Sequence, residues 1–413
     1  MNRKLFIYSV LAFASLVIIS SCDLTKDDGE VPISSNKYLI NYTQVKSAPA
    51  QFVKLAFEEI EKQSPIDIKF SDKVKYGVWV YKISYKTKYK NKDVVASGVV
   101  CVPMTVSADP FPLLSFQNGT NTLNSKAPSM NIDDEDFLLI QAVASMGYIV
   151  VIPDYLGFGT SSDMFHPYLE KASTVQSILD MYGAVKEMAS KKYLDLNLTK
   201  DIYLMGYSQG AWASMALHHE IETKHSTQYN LKGTAAGGGP DDLSSLIDFI
   251  MGEPSYPMPV YLGFIFHSYI QSGSVSFTYN DIFNAPFANS IPGLYNGLRD
   301  GDYINNQLTD KINELFTQDF RTNHKTGEKY STLRAALKAN SIEPWKTTKP
   351  IFMRHGSRDT YVPLFQSINM YNGFLEKGVG EGLVNYGAIP LQNHYEAAIP
   401  FGILGLDWIL KQK

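Results

Sequence analysis

From residue 75 onwards, short apolar runs typical of strands alternate with stretches whose apolar positions recur at helical spacing. The strand-type runs lie at residues 75–87, 93–103, 113–116, 148–152, 202–205, 232–240 and 383–386, with one more opening the segment 349–363. The helical stretches lie at residues 137–144, 173–191 and 399–410, directly after Ser208, and around Leu375. No helix separates the first two runs, so these are expected to form an antiparallel hairpin. The alternation predicts an α/β fold: a mostly parallel central sheet flanked by helices.

Two regions depart from this alternation. An amphipathic helix outside the sheet is predicted around residues 51–60, from the apolar spacing of Phe52, Leu55, Ala56 and Ile60.

Residues 241–345 carry apolar clusters split by prolines. This pattern predicts a mainly helical cap or lid, inserted into a core formed by residues 38–240 and 346–413. Over a site at the edge of the sheet, such a cap supplies an apolar pocket that excludes water. The alternative is an insertion that only covers a sheet edge.

The first residues are predicted to be removed from the mature protein. Residues 1–21 read as a signal peptide, with Arg3 and Lys4 before an apolar run too short for a comfortable membrane span. Residues 19–22 resemble a bacterial lipobox, in which Cys22 becomes the lipidated first residue and anchors the protein to a membrane. An ordinary signal peptide or an uncleaved anchor is the alternative. Loss of Arg3 and Lys4 takes the net charge from −4 to −6.

Residues 22–37 are predicted to form a flexible tether, because they are polar and lack apolar periodicity. Within the tether, the segment 23–30 is rich in acidic residues and looks like a signal for export to the outer cell surface. The alternative is a plain solvated linker. We therefore expect a cell-envelope location, in the outer membrane or at the cell surface. The sequence does not indicate which membrane leaflet holds the anchor.

Composition excludes several classes of protein. At 413 residues, 45% apolar and 19% charged, the chain is globular, and a net charge of −4 gives no reason to expect a nucleic-acid partner. Cys101 has no disulfide partner once Cys22 is acylated, so a buried, inert thiol is expected. The sequence lacks a phosphate-binding glycine loop and a clustered Cys/His metal signature, so no cofactor and no metal are expected.

The strand 202–205 runs into a helix through Gly206-Tyr207-Ser208-Gln209-Gly210. This G-x-S-x-G pattern predicts a nucleophile elbow, a strained turn that lifts the serine hydroxyl above the sheet. The glycines are expected because a Cβ at either position would meet the neighbouring strand or the first helical turn. A structural serine in a tight turn is the alternative.

Ser208, Asp359 and His394 follow predicted strands in the chain order of α/β-hydrolases. A serine hydroxyl needs an imidazole to take its proton, and a carboxylate must hold the imidazole in the correct tautomer. We therefore predict Ser208 as nucleophile, His394 as base and Asp359 as the orienting acid. His355 is the rival base, although it precedes the acid in the chain.

Further predictions concern the loops after the strands. The loop 117–121 is expected to supply an oxyanion donor from Asn118, Gly119 or Thr120, beside the backbone N–H of Gln209. A mere turn is the alternative. Asp154 is read as structural, hydrogen-bonding its own loop, and His166 as a surface histidine rather than a ligand.

Together these motifs resemble the α/β-hydrolase superfamily and, within it, the secretory lipase family. The likeness covers most of residues 90–400 and rests on Ser208 with its flanking glycines, on residues 96–100, 117–120 and 153–155, on residues 355–359 with Val362 and Pro363, and on His394. The resemblance implies hydrolysis of a carboxylic ester or lipid through an acyl-enzyme, with a helical lid between the serine and the acid. Disulfides common in fungal relatives cannot form here, so lid rigidity and substrate do not carry over.

Other functions remain open at this point. A serine peptidase, or an esterase that deacylates polysaccharides, uses the same fold and triad. A binding lipoprotein with an inactive hydrolase fold is the alternative that is not an enzyme, although no triad position is missing. The acyl length, the alcohol group and the oligomeric state are not encoded in any motif.

Overall fold

The computed structural model describes residues 36–64 and 66–413, and within these nine strands form one sheet. The strands are β1 (Leu39–Ala48), β2 (Gly77–Tyr89), β3 (Lys92–Met104), β4 (Pro110–Gln117), β5 (Ile149–Pro153), β6 (Asn197–Tyr207), β7 (Asn230–Gly237), β8 (Ile351–Gly356) and β9 (Val384–Ile389). Helices α1 (Ala50–Gln63), α2 (Glu135–Ala142), α3 (Lys171–Met188), α4 (Gln209–Lys224), α13 (Phe365–Glu376) and α14 (His394–Lys411) flank or follow them. Helices α5 to α12 lie between β7 and β8: α5 (Leu243–Gly252), α6 (Pro259–Gln271), α7 (Tyr279–Ile282), α8 (Phe287–Leu294), α9 (Gly301–Gln307), α10 (Ile312–Leu315), α11 (Gln318–Asn323) and α12 (Ser331–Asn340).

The strand order is β1-β2-β3-β5-β4-β6-β7-β8-β9. Strands β1, β2 and β3 are antiparallel, β3 pairs antiparallel with β5, and the remaining neighbours are parallel. The hairpin between β2 and β3 turns at Lys90 and Asn91, which both have positive φ angles, as a tight two-residue turn requires. The predicted fold class, an α/β-hydrolase sheet that is mostly parallel, is confirmed.

The central strands are buried on both faces. In β6, Ile202 and Leu204 join one apolar core, which includes α3 and α4, while Tyr203 and Met205 join a second core, which includes α1, α2 and α14. Strand side chains alternate between faces, so a continuous apolar run is the signature of a strand covered on both sides. This burial fixes the strand register and therefore the positions of the loops at the carboxyl edge of the sheet.

One strand was missed, and one predicted helix boundary was wrong. Strand β1 was missed because it is an edge strand with mostly polar, exposed residues, which leave no apolar run. The closing helix was predicted over residues 399–410, but α14 begins at His394. Asn393 and Glu396 form a capping box there, in which each side chain accepts a hydrogen bond from the other residue's backbone N–H at 3.0 Å.

None of the helices in the described ranges combines the length and the apolar character needed to cross a membrane. The predicted signal peptide 1–21, the lipobox and nearly all of the tether lie outside the described residues. Cys101 is a buried free thiol, as predicted, and burial raises its pKa above the ordinary value.

Candidate active site

Ser208 lies between β6 and α4 in a backbone conformation that side chains rarely adopt, with φ 59° and ψ −122°. Its N–H donates to the Gly237 carbonyl at 2.8 Å, which ties the turn to the neighbouring strand β7. A Cβ on Gly206 would overlap the Gly210 carbonyl, and a Cβ on Gly210 would overlap the Gln117 carbonyl. The turn can therefore close only with glycine at both positions, and Ser208 is held at the carboxyl edge of the sheet.

The side chains of Ser208, His394 and Asp359 form a continuous chain of hydrogen bonds. Ser208 Oγ lies 2.9 Å from His394 Nε2, and His394 Nδ1 lies 2.6 Å from Asp359 Oδ2. A carboxylate only accepts, so Nδ1 carries the ring proton and Nε2 is left to accept from the serine hydroxyl. The three residues are brought together from β6, the β8 loop and the start of α14.

Asp359 is almost fully enclosed, at 8% exposed. Burial raises the pKa of its carboxyl, but hydrogen bonds and charge from His355 and His394 outweigh that effect and hold the pKa below the ordinary value. Its other oxygen, Oδ1, accepts from the backbone N–H groups of Tyr361 and Val362, both at 2.9 Å. The carboxylate is therefore ionised at neutral pH and fixed in direction.

His355, the rival base, contacts Asp359, with its Nε2 3.2 Å from Asp359 Oδ2. Its ring is fully buried, its Nε2 is 2.8 Å from the Val362 carbonyl, and its Nδ1 is 2.7 Å from Ser367 Oγ. A carbonyl only accepts, so Nε2 carries the proton. With both ring nitrogens occupied, His355 has no free position for a serine proton.

The residues predicted for the oxyanion site surround the elbow. Gln209 is the first residue of α4, so its N–H has no acceptor within the helix. The loop after β4 lies against the same turn: a Cβ on Gly210 would come within 3.0 Å of the Asn118 carbonyl, and one on Gly119 would come within 3.7 Å of the Tyr207 carbonyl. Thr120 Oγ1 lies 2.8 Å from the Tyr168 hydroxyl.

The prediction that His166 is a surface histidine was wrong. The residue is 5% exposed, its Nδ1 is 2.6 Å from the Leu156 carbonyl, and its Nε2 is 3.2 Å from Gln209 Nε2. Its loop folds inward against α6, where the ring packs on Phe264 at 5.4 Å. No periodic pattern marks this position, because its partners are distant in the chain.

Asp154 forms hydrogen bonds that fit a structural role, but they join its side chain to other segments and not, as was predicted, to its own loop. The side chain is 1% exposed, accepts a hydrogen bond from Ser129 N–H at 2.8 Å, and also accepts from the hydroxyls of Ser97 and Ser129. Burial raises the pKa of Asp154 above its ordinary value despite these bonds. These contacts pin the loop after β5 to β3 and to the segment after β4.

Helix α6 reaches both sides of the serine. On the His394 side, the Tyr261 ring lies 6.4 Å from the Tyr361 ring, which itself lies 5.5 Å from the imidazole. On the side of the loop after β4, Phe264 stacks on Tyr168 at 4.5 Å. Positions three apart share one helix face, so a single face of α6 contacts both flanks of the site.

In the part of the chain that the structure describes, no group of three or more His, Cys, Asp or Glu side chains is placed to hold a metal ion.

Comparisons with known proteins agree with the fold and the motifs. The family model of secretory lipases matches residues 122–412. Lipase 6 of Candida albicans is 24% identical over 77% of this chain and 67% of its own length, and a secreted triacylglycerol lipase of Malassezia globosa is 21% identical over 80% and 71%.

Solved structures show the same fold. A hydrolase candidate from Legionella pneumophila superposes with a TM-score of 0.79 at 24% identity, covering 91% of this chain and 98% of its own. The rice cell wall degrading esterase LipA from Xanthomonas oryzae superposes with a TM-score of 0.76 at 23% identity, covering 91% and 99%. The family match spans well over half of the sequence, and the chain therefore belongs to the secretory lipase family of α/β-hydrolases, as a carboxylic ester hydrolase.

Proposed function

We propose that the protein cleaves carboxylic esters through an acyl-enzyme, with Ser208 as nucleophile, His394 as general base and acid, and Asp359 as the orienting carboxylate. The observation that carries this proposal is the relay of 2.9 Å and 2.6 Å contacts from Ser208 through His394 to Asp359. His394 takes the serine proton as Oγ attacks the ester carbonyl, and returns it to the leaving alcohol. Water then repeats the cycle and releases the acid.

The negative charge that develops on the carbonyl oxygen needs donors in place beforehand. We assign this role to the Gln209 N–H and to one N–H of Asn118, Gly119 or Thr120. A helix N-terminus adds favourable electrostatics, because its free N–H groups and the helix dipole favour negative charge. The closeness of the loop after β4 to the elbow supports the assignment.

We propose that residues 241–345 act as the cap over this site. The contacts of Tyr261 and Phe264 with opposite flanks support a covering position for α6. Their aromatic rings suit an apolar acyl group, since such walls exclude water from the ester. Residues 38–240 and 346–413 are then the hydrolase core.

Export is expected of a member of a family of secreted lipases. More specifically, we propose that residues 1–21 are a signal peptide, that Cys22 carries a lipid, and that residues 22–37 tether the domain to the cell envelope. The lipobox likeness of residues 19–22 supports this proposal. Cell fractionation tests it: the full chain is expected with membranes, and Cys22→Ser in the soluble fraction; equal partition of both would reject the anchor.

A fluorophosphonate probe tests the mechanism, because it labels only an activated serine. The form lacking residues 1–22 is expected to be labelled at Ser208 in peptide mapping, and His394→Ala to lose labelling while staying folded. Labelling of a different serine would contradict the assignment. A panel of short acyl esters, long triglycerides, acetylated xylan and dipeptidyl amides then separates esterase, lipase, polysaccharide deacylase and peptidase activity.

A further inference from the structure

The loop of residues 155–168 contacts the proposed oxyanion site at three points. The Tyr155 hydroxyl donates to the Asn118 carbonyl at 3.1 Å, and the Tyr168 hydroxyl lies 2.8 Å from Thr120 Oγ1. The third contact joins His166 to the Gln209 side chain. One loop therefore touches both halves of the site: the loop after β4 and the start of α4.

The hydrogen-bonding roles at His166 follow from its partners. The Leu156 carbonyl can only accept, so the proton lies on His166 Nδ1, which donates across 2.6 Å. His166 Nε2 is then an acceptor, and the Gln209 amide must present its NH₂ group across 3.2 Å. Burial lowers the pKa of His166 to about 4, in spite of the Leu156 contact that raises it, so the ring is neutral at neutral pH.

Gln209 depends on this contact for its side-chain position. The residue is 1% exposed, and its Oε1 is a buried atom without a hydrogen-bond partner among the described residues. A buried amide is held in one orientation only where a polar partner meets it. His166 Nε2 supplies that partner at the residue whose backbone N–H is the proposed oxyanion donor.

We propose that His166 is a positioning residue for the reaction: by accepting from the Gln209 side chain, it holds the first residue of α4 so that its backbone N–H points at the developing oxyanion. This inference rests on the proposed function. His166 does not touch the reacting atoms, and it acts through Gln209. It works with Tyr155 and Tyr168, which fix the opposite half of the site.

A double-mutant cycle tests the proposal. His166→Phe keeps an aromatic ring in the buried site but removes the acceptor, and Gln209→Leu removes the side-chain donor while leaving the backbone N–H. We expect each variant to lower kcat by about 10- to 100-fold with KM changed less than about 2-fold, because a displaced oxyanion donor weakens only the transition state. Adding His166→Phe to Gln209→Leu is expected to cause no further fall.

His324→Phe is the matched control. His324 is also 5% exposed, with two backbone carbonyls, Phe320 O and Arg321 O, each 3.2 Å from its Nδ1, and one side-chain partner, Asp248, 3.0 Å from its Nε2. It lies in the insertion, away from the elbow. Its substitution is expected to lower the Tm and leave kcat unchanged.

Any one of three results would overturn the inference. In the first, His166→Phe lowers the Tm but leaves kcat at the parent value. In the second, His166→Phe lowers kcat by its full factor even when Gln209→Leu is already present; in the third, Gln209→Leu alone keeps the parent kcat. If His166→Phe does not fold, the kcat of Gln209→Leu alone decides between the outcomes. Failure of the proposed function gives a different result from failure of this inference, because Ser208→Ala itself would then retain activity.

Discussion

His355 Nε2 lies 3.2 Å from Asp359 Oδ2, the same oxygen that His394 Nδ1 approaches at 2.6 Å. One carboxylate oxygen therefore faces two imidazoles, one beside the serine and one in the core. The ring in the core, that of His355, is held by Ser367 Oγ and the Val362 carbonyl. Its contact with Asp359 lowers the pKa of that carboxyl and so favours the ionised form.

Substitution of the two histidines is expected to have different consequences. His394→Phe removes the proposed base and should lower kcat on the order of 10⁶-fold, whereas His355→Phe should lower it by no more than about 100-fold. His355→Phe should also destabilise the protein by about 2 kcal/mol, since it leaves buried partners unpaired. Activity assays beside thermal unfolding measure both effects. Equal losses of kcat would mean that the base is wrongly assigned.

Stability at acidic pH is expected to depend on Asp359. Its pKa is lower in the folded protein than in the unfolded chain, so its contribution to stability is fully present above about pH 4 and is lost as the pH falls below that value. Asp359→Asn cannot titrate and should flatten this part of the curve of unfolding free energy against pH. Urea unfolding between pH 2 and 6 measures the difference. Parallel curves for the two proteins would contradict the lowered pKa.

The elbow glycines are expected to be intolerant of alanine. Gly210→Ala brings a Cβ into the Gln117 carbonyl, so the backbone must shift, at a cost of about 1–3 kcal/mol and with Ser208 displaced. Gly402→Ala in α14 is the matched control, because a Cβ there meets no atom within 4 Å. It should stabilise the protein by about 0.5–1 kcal/mol. The prediction fails if both variants keep the parent stability and kcat.

Asp154→Ala separates a structural carboxylate from a catalytic one. It leaves the Ser129 N–H and two hydroxyls without their acceptor, which should cost about 1–3 kcal/mol of unfolding free energy. The enzyme that remains folded should lose no more than about 10-fold in kcat, because Asp154 touches neither His394 nor Ser208 and acts only through the loop that carries His166. Thermal unfolding and active-site titration measure the two quantities together. A catalytic role would instead abolish turnover at unchanged stability.

The sequence was informative where a local pattern encodes a local structure. The apolar run of β6 and the glycines around Ser208 predicted both the strand and the turn, since burial on two faces and close backbone approach leave such marks. Strand β1 left none, because an exposed edge strand needs only backbone pairing. Asn393 and Glu396 are spaced as a capping box, which is a local signal in the sequence for the start of α14.

Contacts between distant loops could not be read in the same way. His166 meets Gln209 across 43 positions of the chain. Its neighbours Phe165 and Tyr168 are aromatic, but they do not indicate which distant residue the imidazole contacts. His355 looked like a competitor for the base because its spacing to Asp359 is short. Only the folded geometry separates the inner from the outer imidazole.

The turnover of p-nitrophenyl butyrate by Ser208→Ala, beside the parent form lacking residues 1–22, tests the central claim most directly. If the relay through His394 and Asp359 acts as a unit, kcat should fall on the order of 10⁶-fold in a protein whose thermal unfolding matches that of the parent. A folded Ser208→Ala protein that hydrolyses the ester at the parent rate would contradict the account.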